Sequence, residues 1–340
     1  MIHKITFVIN GHDAVLKRWA VGYLCNALND LSFDAKIVDL ARGGKEQDCE
    51  GADVLVVYRC FDYRTTRMAR RMKEKGAFVL FFIDDYLFQP NCKYTEGLVV
   101  PMEPMENADA IVSCSSVLLS KIPWDKPKIL RRSVLDAEAM SVLKQEYRRA
   151  GPFSIGWVAG AGRGTGWDMF VSEFLDILNA ELKDGEQCVF HSFGQRFLHS
   201  RTKVTVKEHM YFHWEDWKGL YSELVSFNMG TSINPLDEHD EFCKSKSELK
   251  WVETAAMGVP LITSRVPPYA EFMQEGELGF FASTPREFAD KVLLIMRDEQ
   301  LSRKVSANVS KYVVENYDVK ENARKFADDM RQAMKVIRKQ

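Results

Sequence analysis

The apolar run Phe78-Val79-Leu80-Phe81-Phe82-Ile83 ends in two adjacent carboxylates, Asp84 and Asp85. A carboxylate pair at the end of a buried strand is costly unless cations satisfy it or a cleft exposes it. Arg59 follows the run Val54-Leu55-Val56-Val57-Tyr58 and can pair with one of them, or bind an acidic acceptor. A structural cap on the following turn would use the same two acids. Further on, Gly160, Gly162, Gly164 and Gly166 alternate between the apolar stretch 153–158 and a helical stretch from about Trp167. Such glycines let a backbone approach a phosphate closely, and a helix start supplies free N–H groups and partial positive charge. Arg163 in the same loop is a forked, permanently charged donor suited to a diphosphate. The spacing is not the Gly-x-Gly-x-x-Gly of dinucleotide folds, and no clean acid follows about 20 residues later at a strand end. A flexible surface loop accounts for these residues equally well.

A third constellation runs from Asn234 to Ser264. Asn234–Lys250 is a polar loop leading into a helix that carries one acid, Glu253. Ser247 is a candidate N-cap, although Lys250 rather than Glu or Gln stands three residues on, so no capping box forms. Lys246 falls near the helix start, where a phosphate could be shared with backbone N–H groups. Gly258 stands where a helix C-cap needs a left-handed residue, and Pro260 cannot continue the helix. Leu261 and Ile262 then begin a short buried strand. A solvated charged loop explains most charges of 234–250 one by one, and Asp237 and Glu241 are further acids in it.

These residues need a frame. Short apolar runs at 5–9, 35–38, 54–58, 78–83, 110–113 and 128–130 alternate with helical spacing at about 14–31 and 63–75. That alternation predicts a parallel sheet sandwiched by helices. The pattern breaks around Arg148–Pro152, and a second cycle begins at Phe153. It has strands near 153–158, 188–193, 203–206, 227–233 and 259–263, and helices near 217–226, 247–257, 285–296 and 301–316. The last helix, from about Val319, carries many charges and reads as exposed. The expected division is 1–150, 151–317 and a terminal helix 318–340. Two α/β domains in series offer a ligand cleft at the C-terminal ends of their strands.

Composition narrows the field. The chain has 340 residues, 46% hydrophobic and 28% charged, which fits a soluble two-domain protein. The formal net charge of −2 gives no field that would call for nucleic acid. The seven cysteines are scattered without Cys-x-x-Cys spacing, which favours reduced, mostly core thiols and a cytoplasmic setting. Residues 1–10 read as a core strand rather than a signal peptide. No apolar run approaches the roughly 20 residues that span a bilayer. The helix 63–75 gathers Arg64, Arg67, Arg70, Arg71, Lys73 and Lys75. It reads first as a solvated face and second as a peripheral contact with anionic membrane at the inner face. His209 and His213 have metal-ligand spacing but fall in a strand, too far apart along one face for a compact site.

The segment Glu253-Thr-Ala-Ala-Met-Gly258-Val-Pro260-Leu-Ile resembles the donor-binding helix of GT-B glycosyltransferases, above all the large retaining ("group 1", family 4-like) branch. The resemblance is best over about 227–317, weaker over the glycine loop and only architectural over 1–150. It implies an α/β fold of two Rossmann-like domains facing a cleft (GT-B), with the terminal helix crossing back to the first domain. It implies transfer of a sugar from a nucleotide-diphosphate donor to a glycan, lipid-linked or protein acceptor, with retention and without a divalent metal. In that reading Glu253 holds the ribose. Arg163 and Lys246 hold the diphosphate, with Gly160, Gly162 and Ser247 beside it. Trp214, in Tyr211-Phe212-His213-Trp214, is a candidate for stacking on the base, although such a cluster is more often core. Asp84 and Asp85 line the sugar and acceptor side. In GT-A transferases a comparable pair binds a divalent metal, but the late helix motif belongs to GT-B. Relatives often carry a second Glu eight positions before the first, where this chain has Ser245. That departure keeps two alternatives open: a non-catalytic subunit of the same fold, and a nucleotide-sugar epimerase.

Overall fold

The computed structural model describes residues 2–11, 21–89, 100–136, 151–158, 165–193, 198–209, 222 and 224–339. The chain divides into two compact units. The first comprises Met1–Asp136, Lys244–Glu248 and Tyr317–Gln340, and the second Ala137–Cys243 and Leu249–Asn316. The linker expected around 148–152 falls mainly outside the described residues.

The first unit is built on β1 (Lys4–Ile9), β2 (Asp34–Asp39), β3 (Val54–Tyr58), β4 (Phe78–Phe82), β5 (Ala110–Ser113) and β6 (Lys128–Leu130). They form one parallel sheet in the order β2-β1-β3-β4-β5-β6. Every residue of β3 and β4 is buried, as expected of strands covered on both faces. We number only helices of eight residues or more. Those of this unit begin with α1 (Tyr23–Asp30) and α2 (Tyr63–Glu74), and the terminal helix joins them. Asp62 caps α2 by accepting the Thr65 N–H at 2.8 Å.

The second sheet holds β7 (Phe153–Val158), β8 (Cys188–Phe193), β9 (Val204–His209), β10 (Met229–Asn234), β11 (Leu261–Thr263) and β12 (Phe280–Phe281). It too is parallel, in the order β12-β11-β10-β7-β8-β9. Counted from β7, that is the 3-2-1-4-5-6 order of doubly wound dinucleotide folds, with its reversal point between β7 and β10. Its helices are α3 (Thr165–Glu181), α4 (Leu249–Ala256), α5 (Pro285–Arg297) and α6 (Glu299–Tyr317). Both sheets bear out the α/β reading of the sequence.

The end of α4 follows from its sequence. The Gly258 N–H donates to the Ala255 carbonyl and the Val259 N–H to the Thr254 carbonyl, with Gly258 at φ 74°. This double bond pattern needs a left-handed residue at Gly258.

Three expectations require correction. First, α7 (Val319–Ile337) is not an exposed helix. It buries Val319, Ala323, Phe326, Ala327, Met330, Ala333 and Met334 and packs on α1 in the first unit. Its charges occupy the other face of an ordinary amphipathic pattern. Second, segment 234–250 is not simply a solvated loop. Glu241–Lys244 is a helical turn with Phe242 and Cys243 buried, and Ser245 and Glu248 are buried after it. Third, α4 begins at Leu249, so Glu248 rather than Ser247 stands at the position before it.

Candidate functional site

In the second unit a concavity opens at the reversal point of the sheet. Val158 at the end of β7 and Ser232, Ile233 and Asn234 at the end of β10 form one wall. Lys250, Glu253, Thr254 and Met257 form the other, and Leu224 and Leu261 close the apolar end. The wall from α4 is one helix face, since positions 250, 253, 254 and 257 recur at three-and-four spacing. The opposite face, Trp251, Val252 and Ala255, is buried in the core, with Trp251 Nε1 donating to the Leu278 carbonyl at 2.7 Å. Asn234 is fixed from behind by Tyr269, its Nδ2 lying 3.1 Å from the tyrosine oxygen. Within the concavity the Lys250 ammonium lies 3.0 Å from Glu253 Oε2. A carboxylate has about four lone-pair sites, so Glu253 can accept from a ligand hydroxyl pair while holding Lys250. This is a rigid, polar-rimmed pocket at the carboxyl ends of parallel strands, the place where open α/β sheets bind ligands.

In the first unit a charge cluster caps β3 and β4. Arg59 has φ 51°, a left-handed backbone uncommon for a non-glycine residue, and its N–H donates to the Phe82 carbonyl. One guanidinium nitrogen lies 3.2 Å from Asp84 Oδ1 and 3.2 Å from Asp85 Oδ2. The Tyr58 hydroxyl donates to Asp84 Oδ2 at 2.6 Å, and the Lys246 ammonium lies 3.8 Å from Asp85 Oδ1. Arg59 thus bridges the two acids, with the Tyr58 hydroxyl on Asp84 and the Lys246 ammonium near Asp85. Burial opposes the Arg59 charge, yet the two carboxylates outweigh it and hold the guanidinium above its ordinary pKa. Burial lifts the Asp84 carboxyl; Arg59 works against that and Asp85 with it, and the result is a raised pKa. For Asp85, burial also pushes up, but Lys246 and Arg59 together hold it below its usual range. Deeper in the unit, Arg131 is buried with its guanidinium 5.0 Å from the Phe82 ring centre. Burial lowers its pKa. Glu248 accepts the Ser133 N–H at 3.2 Å.

Of the residues singled out in the sequence, Asp84, Asp85 and Lys246 come together in the first unit. Glu253 lies in the pocket of the second. Ser247 is half-buried ahead of α4. Gly160, Gly162, Arg163 and Trp214 lie outside the described residues, as do His213 and the helix expected near 217–226 for most of its length. The sequence reading passed over Lys250, although it stands one turn before Glu253 on the same face. It also passed over Tyr58 and the pair His191–His209, whose ring nitrogens Nδ1 and Nε2 are 3.0 Å apart. Those rings pack with Phe193 at the end of β8 and with Phe227 in the turn before β10. Burial, then His209 and Lys207, depress the His191 pKa to about 4. The basic helix is largely neutralised within its own unit. Arg70 pairs with Glu103 and Arg71 with Glu46, while Lys73 and Lys75 lie 2.6 Å from Asp109 and Glu50. Among the described residues no cluster of three or more His, Cys, Asp or Glu is arranged to hold a metal, and no helix is long and apolar enough to cross a membrane.

Residues 173–328 match the family model described as "Glycosyl transferase-like". No curated protein sequence matches significantly. Among solved structures, the chain is similar to Anabaena Alr3699/HepE in complex with UDP-glucose, at 11% identity and TM-score 0.65, covering 97% of this chain and 99% of that one. A glycosyltransferase from Rickettsia africae ESF-5 is similar at 12% identity and TM-score 0.68, covering 98% and 99%. Sucrose-phosphate synthase from Thermosynechococcus elongatus is similar at 13% identity and TM-score 0.66, covering 98% and 100%. At such identities these structures speak for the fold, which is GT-B.

Proposed function

We propose that this glycosyltransferase of the GT-B fold moves a sugar from a nucleoside-diphosphate donor to a hydroxyl of a glycan acceptor, with retention and without a metal ion. The observation that carries the reading is Glu253, an acid on the inner face of α4 in a pocket at the reversal point of the second sheet. A carboxylate there suits the paired hydroxyls of a ribose. HepE is solved in complex with UDP-glucose, which makes UDP-sugars the first donors to try.

The chemistry follows from charge. As the bond from the sugar to the phosphate breaks, negative charge grows on the leaving diphosphate, and fixed cations and helix-end amides aimed at it lower the barrier. Arg163 and the backbone around Gly160 and Gly162 are the further donors in this reading. Retention is supported by the state of Asp84 and Asp85. Both acids are already engaged by Arg59, and Asp84 also by the Tyr58 hydroxyl, contacts that tie the pair to the first unit's own donors rather than to an acceptor. The departing phosphate is then the group left to take the acceptor proton. The guanidinium of Arg59 also stands between the two carboxylates, where a chelated divalent ion would have to sit. If the acceptor is lipid-linked, the exposed Arg64 and Arg67 are the cations for a weak contact with anionic membrane, each contributing about 1 kcal/mol.

A thermal-shift screen of UDP-, GDP-, dTDP-, ADP- and CMP-sugars against wild type and Glu253→Ala tests the reading. One nucleotide class should raise the melting temperature of the wild type alone, since a ligand at 100 times its Kd stabilises by about 2.7 kcal/mol. A folded wild type that responds to none would overturn it. Stabilisation without sugar release or transfer would favour a non-catalytic subunit.

A further inference from the structure

Among the described residues Lys246 and Lys250 flank the start of α4, and their surroundings differ. Lys246, in the segment that packs with the first unit, lies 3.8 Å from Asp85. Lys250 lines the pocket of the second unit, 3.0 Å from Glu253, with its side chain about one-third exposed. We infer that Lys250 is the cation that holds the donor's diphosphate, and that Glu253 both receives the ribose and aims Lys250. This inference rests on the proposed donor site and names a residue within it.

Three features carry it. An ammonium has three donors, so one can stay on Glu253 Oε2 while two meet phosphate oxygens. Lys250 precedes Glu253 by three residues, about 4.5 Å along the helix axis and towards the helix start, where the free N–H groups favour an anion. The wall facing it, Val158 and Asn234, is the carboxyl end of β7 and β10, where phosphates of bound nucleotides come to rest in doubly wound sheets. The 2′,3′-diol and the 5′-phosphate leave a ribose from opposite sides. With the Lys250 Cα on the helix-start side of Glu253 and its ammonium 3.0 Å from the carboxylate, the two groups can take the diol and the neighbouring phosphate together. Glu253 fixes the ammonium before the ligand arrives, so less side-chain freedom is lost on binding.

Ligand-observed NMR titrations would use UDP, GDP, dTDP and ADP beside their four nucleosides, on wild type, Lys250→Met and Lys250→Arg. Lys250→Met keeps the apolar stem, and a melting curve of each variant checks the fold. The account expects Lys250→Met to weaken the favoured nucleoside diphosphate by about tenfold to a hundredfold. Its nucleoside should bind as in the wild type, and Lys250→Arg should recover most of the loss. Equal weakening of diphosphate and nucleoside would mean that Lys250 merely steadies Glu253, and would overturn the inference. So would diphosphate binding within twofold of wild type in Lys250→Met. A wild type that binds none of the eight compounds would remove the donor site itself. That result differs from the other two, which leave the donor site standing.

Discussion

The two units solve the end of a parallel sheet in opposite ways. In the second, α4 and the ends of β7 and β10 leave a pocket lined by Glu253 and Lys250. In the first, the acids at the end of β4 are consumed by Arg59, Tyr58 and Lys246. Both regions are rich in charge, and charge alone would have ranked Asp84 and Asp85 above Glu253. What separates a binding surface from a structural charge network is whether the polar groups line a concavity at the strand ends.

The largest effect should come from opening the closed network. Arg59→Ala leaves two adjacent, largely buried carboxylates without their shared cation. Chemical denaturation should show a loss of about 3–5 kcal/mol. The loss should grow as pH rises above the ordinary carboxylate range. Without Arg59 the folded-state pKa of the pair rises, so the residual stability is present at low pH and falls as pH passes through that raised value. Glu253→Ala should do the reverse. It should leave the denaturation midpoint nearly unchanged and lower kcat/KM for the donor by about a hundredfold, near 3 kcal/mol.

An acid titration of stability sharpens the contrast from a third place. His191 has a folded pKa of about 4 against about 6.5 when unfolded. In that interval the unfolded chain binds the proton more readily, so stability is intact above about pH 6.5 and lost as pH falls towards 4. The shift corresponds to about 3 kcal/mol. Asp84 and Asp85 are shifted in opposite directions, so their contributions to the slope are of opposite sign. His191→Phe should flatten the slope between pH 6.5 and 4. An unchanged slope would refute the assignment. The smallest effect is Tyr58→Phe, which removes one hydrogen bond to a carboxylate and should cost about 1.5–3 kcal/mol in urea unfolding.

The sequence made the frame legible because both sheets are built from apolar runs bounded by turn residues. The Gly258 turn and the placement of Glu253 on the pocket helix were readable for the same local reason. The network around Arg59 was readable only in part. Arg59 and Asp84 are neighbours because β3 and β4 pair in register, Tyr58 opposite Phe82, and that is a reasonable expectation for successive strands. Nothing in spacing shows that Lys246, four residues from Lys250, keeps company with Asp85. That depends on which unit a five-residue segment joins. The buried face of α7 was present in the spacing of Val319, Ala323, Phe326 and Met330, but the density of charge drew the reading towards an exposed helix. Lys250 was overlooked because the resemblance directs attention to the acid of α4 and not to its partner one turn earlier.

The central claim is that the nucleotide occupies the second unit and leaves the first-unit network untouched. Amide hydrogen exchange of the wild type, with and without saturating UDP, tests it most directly. The account predicts new protection across 249–256 and 232–236, and no change at 58–60 and 84–89. Protection confined to 58–60 and 84–89, with 249–256 unaltered, would contradict it.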